Sequence, residues 1–416
     1  MDARVVTVRV AASAAVDPSA GVSVPTTLVV TNDFPPRIGG IERFVEQVCG
    51  FCDDDVIVLT SSEPGAAAYD ARLPYEVVRR DRVLLPTASV AHQAGELLRL
   101  SGASRVVFGA AAPLGLLADD LRWAGAERIL GLSHGHETWW AGVPGTRQLL
   151  RRIGRGVDAL TTISSYTAGR IAPALDPRDR HKLTRLPPPV DTTFFAPRSA
   201  DSARTVDTPG AADPRTGEQV VRATAEREAG RPPRCVAVGR LVRRKGVDTL
   251  IRAWPEVCRA VPDAELVVVG DGPQRARLTG LARRLRVDAS VTFTGGLDPI
   301  GVRQWLWRSD VFALPMRVRW GGLDAEGLGL AALEAAACGL PAVVGDSGGA
   351  PETVRAGDSG FVVAPEDPAA LADRLVELLA EPARCTAMGA VGRRHVEERF
   401  GADWARTQLR GLLALD

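Results

Sequence analysis

The sequence predicts an α/β protein of two doubly wound domains in tandem, each a parallel sheet covered by helices on both faces. The chain has 416 residues, which is too long for one ordinary domain and suits two of typical size. Short apolar runs of strand length alternate with helical patterns, as in parallel sheets between helix layers. The alternation occurs twice, and a segment of different composition separates the two series. Each series is therefore predicted to form one Rossmann-like domain.

The N-terminal domain is assigned to residues 26–196. Residues 1–25 include an Ala/Val/Ser-rich stretch, but Arg9 and Asp17 interrupt the apolar core that a signal peptide needs. We therefore expect a disordered extension or an upstream start site at 1–25, and a cytoplasmic protein. The predicted strands lie at 27–31, 56–60, 105–108 and 128–133, with a helix at 41–48.

The C-terminal domain is assigned to residues 233–416, after a predicted linker or surface insertion at 197–232 that lacks apolar periodicity. We expect its last helix to pack back on the N-terminal domain. Because ligands of doubly wound sheets bind at the carboxyl ends of strands, the loops after strands are the candidate sites. The predicted strands lie at 235–238, 265–269, 291–293, 311–314 and 341–344, and the predicted helices at 246–257, 274–285, 301–307 and 328–337.

Composition excludes several classes of protein. Lys and Arg total 51 against 50 Asp and Glu, so a nucleic-acid partner is not indicated. The six cysteines form no dense disulfide framework, and Cys49 and Cys52 are predicted to be buried rather than to bind metal. No run of eighteen apolar residues occurs, so no membrane-spanning helix is expected.

Two loops of the first half carry candidate site residues. Gly39 and Gly40 precede a helix, where backbone N–H groups and the helix dipole favour an anion, although an ordinary glycine turn gives the same pattern. His134, His136 and Glu137 follow the fourth predicted strand. These residue types suit zinc, but no distant third ligand is visible, so hydrogen bonding or proton handling by a histidine is the better interpretation.

Two glycine-containing loops of the second half come directly after strands. Arg240 and Lys245 lie in the first of them, where both a phosphate site and a solvated basic loop fit the pattern. Gly295 lies in the second, where glycine would let backbone groups face a flat base, and where a tight turn needs glycine anyway. Neither loop assigns a function by itself.

The segment 317–339 is the richest in candidates. Gly327 and Gly329 free the amides at a helix start for an anion or for sugar hydroxyls. Glu326 precedes them, and Glu334 lies within the helix among alanines and leucines. A lone carboxylate among small apolar residues is costly to bury, so Glu334 needs a specific partner. Paired ribose hydroxyls would serve, as they do for carboxylates in other nucleotide-binding folds.

In combination these motifs resemble the family-4 retaining glycosyltransferases of GT-B fold, over about residues 27–196 and 233–400. The resemblance is carried by Glu326-x7-Glu334, by Gly-Arg-Leu-x-x-x-Lys-Gly at 239–246 and by Gly-Asp-Gly-Pro at 270–273. A narrower likeness is to actinobacterial GDP-mannose-dependent phosphatidylinositol monomannoside mannosyltransferases, which add the second mannose to a membrane glycolipid. It is carried by the residues at 32–41, 134–137, 317–329 and 347–354.

The resemblance implies two Rossmann-like domains that face each other across a cleft, the N-terminal one for the acceptor and the C-terminal one for the nucleotide sugar. It also implies transfer of mannose from GDP-mannose to a phosphatidylinositol mannoside with retention, at the inner membrane face. Arg240 and Lys245 would bind the donor diphosphate and neutralise the leaving nucleotide, and Glu334 would hold the ribose hydroxyls. No metal or other cofactor is implied, so Asp53–Asp55 is interpreted as a solvated turn.

The same resemblance implies which groups hold the transferred sugar. Glu326 and the amides of 327–329 (Gly327, Leu328 and Gly329) would grip it, with Gly40 near the distal phosphate. His134 would contact the sugar and order the reaction centre, and His136 is the weaker candidate for that role.

Three positions depart from the family pattern. Trp320 stands beside the donor loop where close relatives tend to have glycine, which leaves the sugar or the acceptor open. Pro189 replaces the usual glycine of a Pro-Pro-Gly-Val-Asp turn, and the segment 198–232 is longer than expected. A basic amphipathic helix is predicted at 144–155, and both docking on anionic lipid and ordinary packing of its apolar side are consistent with it.

Other functions remain as alternatives. The same fold could use a UDP-linked sugar and a polysaccharide or specialised-metabolite acceptor, because base contacts through the backbone leave no sequence signal. A non-catalytic nucleotide-binding protein would not need the full set of Arg240, Lys245 and two glutamates. A dinucleotide-dependent oxidoreductase is disfavoured, since no Gly-x-Gly-x-x-Gly follows the first strand.

Overall fold

The computed structural model describes residues 27–52, 56–198, 231–322 and 324–415. The expectations for 1–25, for Asp53–Asp55 and for nearly all of 197–232 lie outside the described residues.

The N-terminal domain is built on a parallel sheet, seven-stranded in the described part of the chain, with strand order β3-β2-β1-β4-β5-β6-β7. Its strands are β1 (Thr27–Val30), β2 (Val56–Ser61), β3 (Glu76–Arg80), β4 (Arg105–Phe108), β5 (Arg128–Gly131), β6 (Ala159–Thr162) and β7 (Leu183–Arg185). Its helices are α1 (Gly40–Gly50), α2 (Ala66–Asp70), α3 (Ala88–Ser101), α4 (Ala111–Leu114), α5 (Ala118–Ala124), α6 (Glu137–Gly142), α7 (Pro144–Gly156) and α8 (Ser165–Ile171).

The C-terminal domain repeats the architecture with a parallel sheet, six-stranded among the described residues, in the order β10-β9-β8-β11-β12-β13. Its strands are β8 (Arg234–Val238), β9 (Glu265–Val269), β10 (Val291–Gly295), β11 (Val311–Leu314), β12 (Ala342–Gly345) and β13 (Gly360–Val363). Its helices are α9 (Val247–Ala260), α10 (Arg275–Arg284), α11 (Pro299–Trp307), α12 (Leu330–Ala337), α13 (Pro368–Ala380), α14 (Pro382–Phe400) and α15 (Ala402–Leu413).

The central strands are apolar throughout because helices cover both faces of each sheet. In β1, Leu28 and Val30 join the hydrophobic cluster on one face of the first sheet, and Val29 joins the cluster on the other face. This alternation follows from the two-residue period of a strand. Both sheets therefore place their loops at the carboxyl edge, where the candidate residues lie.

The structure contains strands that sequence periodicity did not predict. β3 is an edge strand whose residues are half-buried or exposed, and two of its five residues are arginines. β7 has three residues, and β6 ends in two threonines, so neither carries an apolar run. β13, with only four residues, pairs at the edge of the second sheet. Edge position and shortness removed the apolar signal in each case.

The last helix crosses back to the first domain. Ala405, Leu409 and Leu413 of α15 are buried in the same cluster as Val29 of β1. Arg105 Nε donates to the carbonyl of Leu413 at 2.7 Å. The core of the N-terminal domain is thus completed by the C-terminus of the chain, which couples the two domains.

Candidate active site

Loops that follow strands of the two sheets meet across the interdomain cleft, and glycines allow the approach. A Cβ on Gly327 would lie 2.6 Å from Cδ1 of Ile163, and a Cβ on Gly349 would lie 2.8 Å from Cβ of Ser164. Both distances are below van der Waals contact, so a larger residue at Gly349 would displace Ser164 of the other domain, and one at Gly327 would displace the end of the Ile163 side chain. Gly327, which was predicted as an amide donor, is therefore also a point of contact between domains.

An ion pair lies at the centre of this region. Lys245 Nζ is 2.8 Å from Glu326 Oε2, and the two side chains are only 12% and 14% exposed. Arg244 Nε lies 3.6 Å from the same oxygen, and Arg244 Nη1 lies 3.4 Å from Oδ1 of Asp324. The structure thus brings together two residues predicted from separate motifs. It adds Arg244, for which the only sequence signal was the basic run at 243–245, and Asp324, which lies in the motif at 317–329 but was not singled out there.

Arg240 is not part of this network. Its side chain is exposed and, among the described residues, makes no hydrogen bond or ion pair. The backbone around it is fixed, since Gly239 N donates to the carbonyl of Val269 at 3.0 Å and Leu241 N to that of Asp271 at 2.8 Å. An unpaired guanidinium on a fixed loop is available for bidentate binding of a phosphate.

Glu334 lies on α12, and no side chain or backbone group of the described residues donates a hydrogen bond to its carboxylate. Burial raises the pKa of Glu334 to about 7, although the charges of Arg43 and Lys245 act to lower it. Arg43 belongs to α1 of the other domain, so the start of α1 faces α12 across the cleft. The site therefore holds a carboxylate without a donor, as the sequence predicted from its apolar surroundings.

The two glycines at the start of α1, Gly39 before it and Gly40 as its first residue, differ in their surroundings. A Cβ on Gly39 would lie 2.0 Å from Oε2 of Glu42, whereas the same atom on Gly40 would have no neighbour within 4 Å. Arg37 Nε donates to Oε1 of Glu42 at 2.5 Å and Arg37 Nη2 to Oδ1 of Asp33 at 2.7 Å. Gly39 is thus needed to accommodate Glu42, and Gly40 leaves the start of the helix open.

His134 has a defined tautomer. Its Nε2 lies 2.5 Å from the carbonyl oxygen of Gly109, and because a carbonyl can only accept, Nε2 carries the proton. Burial lowers the pKa of His134, and the nearby Glu137 carboxylate only partly opposes this. The neutral ring therefore leaves the lone pair of Nδ1 as an acceptor, which suits a sugar hydroxyl.

Glu137 and His136 contact His134 and help to position it. Glu137 is buried and its Oε2 accepts from Ser133 Oγ at 2.7 Å and from His134 N at 3.2 Å. His136 Nε2 lies 3.2 Å from Oε1 of Glu137, and the His134 and His136 rings stack with centroids 6.4 Å apart. In the described residues no group of three or more such side chains is placed to hold a metal ion.

We expect His134 to remain neutral, as the Nε2–H tautomer, at pH 6.5. The lowered pKa keeps the ring deprotonated at Nδ1 as the pH falls through the ordinary range of histidine. Long-range ¹H–¹⁵N spectra of labelled protein report the tautomer directly, and the exposed His92 provides a reference ring. A doubly protonated His134 ring at this pH would contradict the assignment.

The remaining predicted residues serve backbone geometry. Gly295 has a φ of 82° at the end of β10, and its carbonyl accepts from Gly270 N at 2.8 Å, so it closes a turn beside the adjacent strand. Leu328 is buried in the core of the C-terminal domain. Gly329 has a φ of 103° at the start of α12, a left-handed conformation that favours glycine.

Sequence reasoning did not identify Glu352, which joins the domains. Its Oε1 accepts from the backbone N–H of Ser165 at 2.6 Å, and its Oε2 lies 2.9 Å from Arg185 Nη1. Ser165 is the first residue of α8, so a carboxylate of one domain satisfies a free amide at a helix N-terminus of the other.

Replacing Glu352 by alanine is expected to loosen the closed arrangement of the domains. Loss of charge-assisted bonds to Ser165 and Arg185 should increase the radius of gyration in small-angle X-ray scattering and lower kcat/KM about tenfold. The exposed Glu398, replaced by alanine, is the matched control. Unchanged scattering and unchanged turnover in the Glu352 variant would show that this contact does not hold the cleft closed.

The helix predicted as a basic amphipathic segment is α7. Leu150 and Ile153 of α7 are buried in the core, Leu149 stays exposed, and Arg155 pairs with Asp176 at 2.6 Å. Most of its apolar side therefore packs inward. Across the ranges described, none of the helices combines the length and the apolar character needed to span a bilayer.

Comparison with known proteins gives relatives that align over nearly the whole chain. Residues 223–395 match the family described as Glycosyl transferases group 1. A GDP-mannose-dependent monoacylated alpha-(1-6)-phosphatidylinositol monomannoside mannosyltransferase of Corynebacterium glutamicum is 43% identical, covering 91% of this chain and 94% of that protein. A GDP-mannose-dependent alpha-(1-6)-phosphatidylinositol monomannoside mannosyltransferase of Mycobacterium tuberculosis is 42% identical, covering 94% of this chain and 98% of that protein.

Solved structures share the fold at low identity. Anabaena HepE in complex with UDP has a TM-score of 0.72 at 16% identity, covering 94% of this chain and 100% of that chain. Sucrose-phosphate synthase from Thermosynechococcus elongatus has a TM-score of 0.67 at 20% identity, with the same coverage. The predicted GT-B fold is confirmed. The chain belongs to the family of GDP-mannose-dependent alpha-(1-6)-phosphatidylinositol monomannoside mannosyltransferases and is a hexosyltransferase.

Proposed function

We propose that the protein transfers a mannosyl group from GDP-mannose to a phosphatidylinositol mannoside with retention of configuration, as a family-4 glycosyltransferase. The family relationship supports the donor and the acceptor, since the relatives' names state both. The observation that carries the proposal is the Lys245–Glu326 ion pair together with the unpaired carboxylate of Glu334. This combination suits a ligand with a diphosphate, a sugar and a ribose.

The mechanism that fits these groups is transfer on the front face of the sugar. The bond from the anomeric carbon to the phosphate oxygen breaks as the acceptor hydroxyl attacks from the same side, so negative charge develops on the departing nucleotide, and the hydroxyl proton passes to the departing phosphate oxygen. Arg240 and Lys245 would bind that charge, and fixed cations of this kind supply a large share of catalysis. Closure of the domains would exclude water and limit hydrolysis of the donor.

The sugar would be held between the two loops of the cleft. Glu326, fixed by Lys245 and Arg244, would accept hydrogen bonds from sugar hydroxyls, as would Nδ1 of the neutral His134. Amides at 327–329 would complete the pocket, with Gly40 open toward the distal phosphate. We propose that no metal or other cofactor takes part, so chelation with EDTA should leave turnover unchanged.

The proposal includes peripheral contact with the inner face of the membrane through α7. Val143 and Leu149 remain exposed there, next to Arg147, whose guanidinium donates to the carbonyl of Pro173 at 2.7 Å. Co-sedimentation with vesicles containing phosphatidylinositol tests this part alone. Equal binding of wild type and the Leu149→Gln variant would remove α7 from the proposal.

Calorimetric titration with GDP, UDP and ADP tests the donor, and a radiolabelled transfer assay with phosphatidylinositol monomannoside tests the acceptor. Binding of GDP alone, followed by transfer of mannose to the glycolipid, is the expected result. Preference for UDP would overturn the substrate assignment. If none of the three nucleotides binds, the proposed transferase reaction is wrong.

A further inference from the structure

We propose that Arg170 and Trp320 form an acceptor subsite that binds a phosphodiester-linked polyol or sugar headgroup beside the donor site. The inference rests on the proposed function, because it assigns to that reaction the side of the cleft on which the acceptor lies. Neither residue belongs to the groups argued above to bind the donor.

The backbone at Trp320 has an uncommon conformation. Its φ is 49°, and the next two residues, Gly321 and Gly322, have φ values of 62° and 100°. Left-handed φ is rare for a bulky side chain, and residues held in such conformations cluster at binding sites. Glycine would take this conformation without strain, so tryptophan at this position carries a local backbone cost.

The indole of Trp320 contributes little to the folded core. The residue is 69% exposed. The guanidinium of Arg319 lies 4.4 Å from the ring centroid, and Arg319 is itself tied to Asp324, with Nη1 3.4 Å from Oδ2. The ring is therefore held in place by a cation on one side while most of its surface faces solvent. A fixed, exposed indole is a platform on which the apolar face of a sugar or inositol ring can stack.

Arg170 supplies a free cation opposite this loop. It lies in the last turn of α8, and a Cβ on Gly322 would be 3.0 Å from its Nη2. Its guanidinium therefore occupies the space where a side chain of residue 322 would begin, two residues after Trp320. Among the described residues Arg170 makes no hydrogen bond or ion pair. An unpaired guanidinium fixed by packing can bind a phosphodiester through two N–H groups.

The placement of the pair relative to the donor site follows from α8. Tyr166 donates from its hydroxyl to the carbonyl of Gly322 at 3.4 Å, so the loop runs along this helix. Ile163, just before α8, contacts Gly327 at the sugar end of the same loop. Arg170 lies five residues after Ser165, the first residue of α8, which corresponds to about 8 Å along the helix. Arg170 and Trp320 thus lie to one side of the donor site, where an acceptor headgroup can reach the transferred sugar.

The test compares Arg170→Gln and Trp320→Gly with wild type in the full-length protein. Both variants should fold, since Trp320 is exposed in a backbone conformation that glycine adopts easily and Arg170 has no partner to lose. We expect GDP affinity and hydrolysis of GDP-mannose without acceptor to stay unchanged. The acceptor KM for phosphatidylinositol monomannoside should rise about tenfold or more in each. Trp123→Ala, at a 92% exposed tryptophan, and Arg286→Gln are the matched controls.

Acceptor analogues separate the two roles. With deacylated glycerophosphoinositol monomannoside, both variants should show the same loss, which assigns the effect to the headgroup and not to a lipid surface. With an alkyl mannoside that lacks phosphate, Arg170→Gln should match wild type and Trp320→Gly should still be impaired. Inorganic phosphate at millimolar concentration should neither inhibit the wild-type enzyme nor restore the acceptor KM of Arg170→Gln. If inorganic phosphate competes with the glycolipid for the wild-type enzyme but not for Arg170→Gln, Arg170 is a general anion site and the headgroup assignment is wrong.

The failure of this subsite and the failure of the proposed function give different results. If wild type transfers mannose to the glycolipid and both variants keep the wild-type acceptor KM, the subsite is wrong and the function stands. If wild type transfers no mannose to the glycolipid, the proposed function fails and the subsite fails with it.

Discussion

Replacing Lys245 by alanine is expected to lower kcat/KM for sugar transfer by about a hundredfold to a thousandfold, the range found when one preorganised charge-stabilising donor is removed. Lys245 is nearly buried and its ammonium lies 2.8 Å from Glu326. A cation in such surroundings is screened little by water, so its effect on a departing diphosphate is large. The measurement is transfer of labelled mannose under kcat/KM conditions.

The loss of Lys245 also leaves Glu326 with only the more distant Arg244, at 3.6 Å. A buried carboxylate that loses its partner destabilises the fold, so stability and catalysis must be separated. The double variant Lys245→Ala with Glu326→Gln removes the uncompensated charge. We expect it to recover thermal stability without recovering transfer.

Arg243 is the matched control for this prediction. It is exposed and two residues before Lys245 in the same basic run, and its carbonyl, not its side chain, accepts from Arg317 Nε at 2.9 Å. Arg243→Ala should keep most of the wild-type turnover. Equal losses in the two single variants would mean that the net charge of the loop, and not the position of Lys245, supports the reaction.

The fold was predictable because the strongest sequence signal comes from central strands buried on both faces. The edge and short strands β3, β6, β7 and β13 carry mixed or brief patterns, so periodicity could not identify them. The return of α15 to the first domain was expected from the resemblance, but the contacts that make it, such as that of Arg105 with Leu413, join distant positions that local patterns do not pair.

The candidate site, like the fold, contains some residues that local sequence patterns could select and others that depend on long-range contacts. Position after a strand made Lys245 a candidate, apolar surroundings within a helix made Glu334 a candidate, and the family resemblance supplied the role of Glu326. Glu352 and Arg170 could not be selected, because the neighbour that defines the role of each is more than a hundred positions away in sequence. Glu352 contacts Ser165, and Arg170 lies beside Gly322. Residues so far apart in sequence form no local pattern, so their contacts become visible only in the folded structure.

GDP binding is expected to strengthen as the pH rises toward 7 and to level off above it, and Glu334→Gln should remove the part of this dependence that comes from the carboxylate. The pKa of Glu334 in the free protein is about 7, so the carboxylate is largely protonated at pH 6. Ribose hydroxyls bind the ionised form best, and each pH unit below the pKa should weaken binding up to tenfold. Because the terminal phosphate of GDP also titrates near pH 6, the quantity to compare is the difference between the wild-type and Glu334→Gln calorimetric profiles.

The same pKa predicts the opposite effect on stability. The folded carboxyl has a pKa of about 7 against an ordinary value of 4.5, so the unfolded chain loses this proton first as the pH rises. Between pH 4.5 and pH 8 the free energy of unfolding of the wild-type apoprotein should therefore fall by about 2 to 3 kcal/mol relative to that of Glu334→Gln. Urea unfolding at both pH values measures this difference, with Glu398→Gln as the exposed control.

The two large predictions are coupled through Lys245, whose charge lowers the pKa of Glu334. Lys245→Ala should therefore move the midpoint of the Glu334 profile to higher pH, as should Arg43→Gln from the opposite domain. The shift caused by Arg43→Gln requires the cleft to be closed, so adding Glu352→Ala should diminish that shift.

A Glu334→Gln variant that is more stable than wild type at pH 8 and binds GDP more weakly would show that the carboxylate serves its ligand at the expense of the stability of the fold. Identical pH profiles in wild type and Glu334→Gln would instead remove Glu334 from the nucleotide site.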